Sequence, residues 1–189
     1  MPHATRMSAA DTALLVIDVQ EKLLPLIPDH ARLVRNIAFL IDAVRLLEMP
    51  VLATEQYPKG LGPTTPALAS RLGGPLPDKV RFSSCAAAGV VEALHRGARP
   101  RVVLTGMETH VCVMHTALDL LALDFRVYVA VDAVAARYRE DHDVALRRLE
   151  NAGAVLVTSE MCAFEWVGGA DHPRFKEISR LVQDRMKQM

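Results

Sequence analysis

The chain has 189 residues, 51% of them hydrophobic, and 22 basic residues balance 22 acidic ones. Zero formal net charge gives no polyanion-binding surface, so nucleic acid is not an expected partner. No apolar run is long enough to span a bilayer, and the opening MPHATRMSAADT lacks the apolar core of a signal peptide, so no membrane partner is expected either. Three cysteines, an odd number without a disulfide-like framework, suit a reducing cytoplasm. The length suits one domain spanning residues 1–189, with a mobile N-terminal tail.

After that tail, Ala13 to Ile17 reads as a central strand that ends at Asp18. A carboxylate ending an apolar strand is poised at a sheet's rim; a turn or cap aspartate is the bland alternative. Pro25 and Pro28 make the next connection irregular, and an amphipathic helix follows from about Ala31 to Glu48. Pro50 introduces a second strand, VLAT, which runs into the turn-rich EQYPKGLGPTTP. Glu55, Gln56 and Tyr57 stand at that strand's end, within reach of a substrate or on a plain surface loop. Lys79 is flanked by Val80 and Phe82, which places its stem against apolar surface.

Ser84 is expected to cap a helix from Cys85 through Leu94. The stretch RVVLTGMETHVCVMHTALDLLAL then changes period. Val102 to Leu104 read as a buried strand, Thr105 and Gly106 break it, and Val113, Thr116, Ala117, Leu120 and Leu121 recur at helical spacing. RVYVAVD is the next strand, ending at Asp132. A helix from Asp141 to Asn151 turns Val144, Ala145 and Leu149 inward, and AVLVT is the last strand. A short helix carries Cys162, Phe164 and Trp166, and Pro173 opens a terminal helix. Strands alternating with helices predict an α/β fold: a three-layer α-β-α, Rossmann-like, mostly parallel sheet with helices on both faces.

Of the three cysteines, Cys162 reads as a small core residue and Cys85 sits among alanines. Cys112 follows a strand and a glycine turn where a helix begins. Unpaired N–H groups and the positive end of the helix dipole there favour a thiolate. A thiol pKa below the free value of about 8.5 is therefore expected. Asp18 is a candidate proton acceptor. Lys79, His110 and His115 are candidate partners, and spacing alone does not choose among them.

VIDVQEK, ATEQYPKGLGPT, DKVRFS, TGMETHVCVMHTALDLL, VAVDAVAAR and HPRFKEISRLV occur in that order. Together they resemble the isochorismatase-like cysteine hydrolase superfamily, most of all its isochorismatase domain-containing proteins. The resemblance implies a catalytic triad of Asp18, Lys79 and Cys112, with an oxyanion hole of the Glu108 and Cys112 backbone N–H groups. It implies hydrolysis of a small amide or related C–N bond through a thioester, substrate contacts from the ATEQ segment at Gln56 and Tyr57, and a homo-oligomer. It also implies a non-proline cis peptide at Met107–Glu108. Nicotinamidases place an Asp/His-rich metal site after the second strand, where this chain reads TEQYPKGLG, so neither a metal nor a cofactor is expected. A catalytically idle scaffold or binding protein is the alternative. A dinucleotide-binding fold is set aside, because VIDVQEKL lacks the G-x-G-x-x-G turn.

Overall fold

The computed structural model describes residues 3 and 5–187. β1 (Thr12–Ile17) is followed by a 3-10 turn at Leu24–Leu26, α1 (His30–Leu46) and β2 (Val51–Gln56). Two short helices, α2 (Pro58–Leu61) and α3 (Pro66–Leu72), precede β3 (Asp78–Lys79), a 3-10 turn at Ser84–Ala86 and α4 (Val90–Arg96). β4 (Arg101–Met107) leads through a π-turn, Thr109–Val113, into α5 (Met114–Ala122). β5 (Arg126–Ala135), α6 (Arg139–Asn151), β6 (Val155–Val157), α7 (Ser159–Val167) and α8 (Phe175–Met186) complete the order.

The strands form one six-stranded sheet, ordered β3-β2-β1-β4-β5-β6, and every pair in it is parallel. A parallel sheet covered on both faces wants apolar side chains at successive positions, which is why ALLVI and VVL read as unbroken runs. The period of two divides them. Leu14, Val16, Val103 and Tyr128 pack toward α1, α7 and α8, while Ala13, Leu15, Ile17, Val102, Leu104 and Val127 pack toward α4, α5 and α6. Each fully buried Leu or Ile contributes roughly 1.5–3 kcal/mol relative to exposure. No helix among the described residues is long and apolar enough to cross a membrane.

Strand order runs outward in opposite directions from β1 and β4, so their carboxyl ends flank a crevice at the switch point. Gly106 lets the two strands close there. A Cβ on it would stand 2.0 Å from the Ile17 carbonyl oxygen, and its φ is +114°. The ladder with β5 also shifts register between Leu104 and Gly106, which re-aims the end of β4.

Several expectations change. The helix placed at Cys85–Leu94 is a 3-10 turn and a separate α4, broken where Gly89 takes φ 79°. Ser83, not Ser84, caps the turn, its hydroxyl accepting from the Cys85 N–H. EQYPKGLGPTTP holds the helix α2 rather than turns alone, since Pro58 sits at a first helical position. The strand ending at Asp132 continues to Ala135. Val144 is 54% exposed, while Ala145 and Leu149 face the core, because the buried stripe of α6 is narrower than its apolar pattern. Of the tail, residues 1, 2 and 4 lie outside the described residues. From Thr5 the segment is held to the body: Tyr128 Oη donates to the Thr5 carbonyl, and the Met7 N–H donates to Glu165.

Candidate active site

Asp18 follows β1 in a left-handed conformation, φ 54°, which aspartate tolerates better than bulkier residues. Lys79 ends the edge strand β3, paired beside Gln56 of β2. The two side chains meet across the carboxyl ends of the sheet, with Nζ 2.6 Å from Asp18 Oδ2 and both side chains at 0% exposure. Lys79 also donates to Gln56 Oε1 at 2.8 Å and to the Phe82 carbonyl at 2.9 Å. Three ammonium hydrogens thus meet three acceptors, as a charge removed from water requires. The other Asp18 oxygen accepts from Thr54 Oγ1 at 2.8 Å.

Because the Thr54 hydroxyl spends its proton on Asp18, Ser84 Oγ, 2.9 Å away, must be the donor to Thr54. Ser84 N–H donates to Thr116 Oγ1, whose own proton goes to the Cys112 carbonyl at 2.7 Å. A hydrogen-bonded chain therefore fixes the aspartate and the cysteine backbone against each other. In sequence, Thr54, Ser84 and Thr116 read only as a strand end, a helix cap and part of a helix's apolar stripe. A threonine and a serine on otherwise apolar segments were the available signal.

Cys112 lies within the π-turn, and its thiol stands near enough to Asp18 and Lys79 to feel the charge of both. The structure thus brings Asp18, Lys79 and Cys112 together. The histidines go elsewhere. His115 Nδ1 donates to the Val111 carbonyl at 2.7 Å, and His110 Nε2 lies 3.6 Å from Asp141. Burial pushes the Cys112 thiol well up; Asp18 raises it further, and Lys79 only partly opposes them. The expected low-pKa thiol is thus overturned, because the helix start was legible while the desolvation was not. Burial also raises Cys85 and Cys162.

The sign gives a prediction. A thiol held neutral gains thiolate about tenfold per pH unit on the way up to its pKa. Site-resolved iodoacetamide labelling of Cys112 should climb steadily from neutral to alkaline pH, with no advantage over Cys85 at neutrality. A rate plateau for Cys112 below pH 7 would contradict it.

The Met107–Glu108 peptide is cis, as the resemblance implied. The Glu108 carbonyl accepts from the Val111 and Val113 N–H groups, which ties the start of the π-turn. Gln56 has both amide atoms engaged, Oε1 by Lys79 and Nε2 by the Val80 carbonyl, and Gln20 clamps its backbone. It acts on Lys79 instead of presenting a free amide. Tyr57 is exposed beside it. Glu55 accepts from the Thr64 N–H and ties the loop, and Asp132 is held by Ser159 and Arg185. A cavity of about 620 Å³, lined by Val80, Phe82, Ser83, Cys85 and His115 among others, adjoins the Phe82 carbonyl that anchors Lys79. No group of three or more His, Cys, Asp or Glu side chains among the described residues is placed to hold a metal ion.

The isochorismatase domain family model matches residues 12–161. Isochorismatase domain-containing protein 2 of Homo sapiens is 40% identical over 188 residues, 97% of this chain and 88% of that protein. Among solved structures, the MAR1 ribonuclease from Caenorhabditis elegans superposes with a TM-score of 0.89 at 42% identity, over 94% of this chain and 92% of that one. The YcaC gene product of Escherichia coli, described as an octameric hydrolase of unknown specificity, gives a TM-score of 0.83 over 100% of both chains. At 23% identity that likeness speaks for the fold alone.

Proposed function

The chain belongs to the isochorismatase domain family, and from that premise we propose a cysteine hydrolase that cleaves a small amide or related C–N bond through a thioester. The observation that carries the reading is the buried Asp18–Lys79 pair set against the Cys112 thiol. Isolated charges are too expensive to bury without a use or a full set of partners, and this pair stands where a thiol needs a base.

In this mechanism Cys112 Sγ attacks the substrate carbonyl carbon as Asp18 takes the thiol proton. Proton transfer during attack replaces a preformed thiolate, in keeping with the raised thiol pKa. The Glu108 and Cys112 N–H groups stabilise the oxyanion. Asp18 passes the proton to the departing amine and the C–N bond breaks, leaving an acyl thioester. Asp18 then takes a proton from water as it attacks the thioester; the acid leaves and the thiol is restored. Lys79 holds Asp18 in place, Gln56 holds Lys79, and Tyr57 is assigned to the substrate.

A homo-oligomer in the cytoplasm belongs to the same proposal. Free thiols at Cys85, Cys112 and Cys162 and exposed apolar side chains at Val80, Phe82 and Tyr138 support it. The Caenorhabditis elegans neighbour is named a ribonuclease, but zero net charge here favours a small substrate over a polyanion. One observation favours the idle-scaffold reading: Cys112 is only 6% exposed.

The test is release of ammonia or amine from a panel of small amides, with and without exhaustive chelation. Turnover is expected, and chelation should leave it unchanged. Silence across the panel would favour the scaffold, and activity lost to chelation but restored by zinc would overturn a metal-free mechanism.

A further inference from the structure

Glu108 poses an electrostatic problem. Its backbone N–H is assigned to the oxyanion, yet its own side chain is a carboxylate, 9% exposed, on the same residue. A fixed negative charge beside a developing one opposes it, most strongly where water is excluded. The carboxylate does not stand alone. Arg137 donates to Glu108 Oε1 twice, from its backbone N–H and from Nε, each at 3.0 Å.

The fold sets up this double contact. Met107 pairs with Ala135 across β4 and β5, so the chain leaving β5 passes the residue after Met107 as it reaches Arg137. Stability alone does not explain the pair. The Arg137 side chain is 44% exposed, and an ion pair with so exposed a partner contributes little to folding. Glu108 in turn favours the charged guanidinium, so the neutralising charge is permanent.

We infer that Arg137 is a positioning residue for the oxyanion hole: its guanidinium cancels the Glu108 carboxylate so that the Glu108 N–H can stabilise negative charge on the substrate. This rests on the nucleophile and oxyanion assignments proposed above. Arg137 touches neither the thiol nor the reacting carbon, and acts through Glu108.

The experiment is a double-mutant cycle read on two reactions of Cys112. Acylation by p-nitrophenyl acetate builds an oxyanion; alkylation by iodoacetamide at alkaline pH does not. Arg137→Met should slow acylation about 10²-fold, the size of losing one oxyanion donor, with a far smaller effect on alkylation. Arg137→Lys keeps the charge and should recover part of the loss. In a Glu108→Gln background, where there is no charge to cancel, adding Arg137→Met should change acylation only slightly. The same large loss in that background, or equal loss in both reactions, overturns the inference and makes Arg137 merely structural. No acylation of Cys112 in the wild type overturns the nucleophile reading, and this inference with it. Should Arg137→Met fold poorly, Arg137→Lys and the Glu108→Gln/Arg137→Met pair still decide the question.

Discussion

Lys79→Met is expected to destabilise the protein by about 3–5 kcal/mol and to remove its turnover. The energetic loss comes from what remains rather than from what is taken away. Asp18 keeps its Thr54 hydrogen bond but loses the cation at 2.6 Å, leaving a carboxylate at 0% exposure without its counter-charge. Gln56 Oε1 and the Phe82 carbonyl lose a donor as well. For a chain of this length, that loss should lower Tm by about 6–20 °C. Asp18→Asn in the same background removes the stranded charge and keeps an acceptor for Thr54. The double variant should regain most of the stability and none of the activity. Thermal unfolding of the single and double variants checks the first half, and amide turnover the second. A Lys79→Met protein as stable and active as the parent would mean that the buried pair does neither job.

Cys112→Ala should separate chemistry from fold in the opposite sense. The side chain removed is small, and the neighbouring Val113 and Ala117 still fill that face of the sheet, so stability should change by only about 1 kcal/mol. Turnover should fall by about 10⁴–10⁶-fold, the range for losing a covalent nucleophile. Parallel measurement of kcat/KM and thermal unfolding decides the point. Activity surviving in a well-folded Cys112→Ala protein would move the nucleophile elsewhere.

Local pattern carried most of the fold. ALLVI, VVL and RVYV lie in β1, β4 and β5 because a two-faced parallel sheet demands apolar runs, and helical spacing after Cys112 placed α5. The failures fall where local pattern and tertiary context part. Val144 fits an apolar helical stripe but points to solvent, and Gly89 splits what reads as one helix. The site was legible only through its ordered motifs. Lys79 lies 61 residues from Asp18 on a two-residue edge strand, while His110 and His115 are neighbours of Cys112 in sequence. Proximity along the chain therefore could not single out Lys79. The direction of the Cys112 shift escapes local pattern for a related reason: the start of a helix is written locally, whereas the burying core and the Asp18 charge arrive from distant segments. Thr54, Ser84 and Thr116 form their hydrogen-bonded chain only once β2, the Ser84–Ala86 turn and α5 have assembled.

In the proposed mechanism Cys112 carries the acyl group between the two halves of the reaction. Intact-protein mass spectrometry of samples quenched in acid during turnover, followed by peptide mapping, tests it most directly. The mechanism predicts a mass increase equal to the acyl portion of the substrate, located on Cys112 and absent from Cys112→Ala. Sustained turnover with Cys112 unmodified at every quench time, or an acyl group mapped to Cys85 instead, would contradict it.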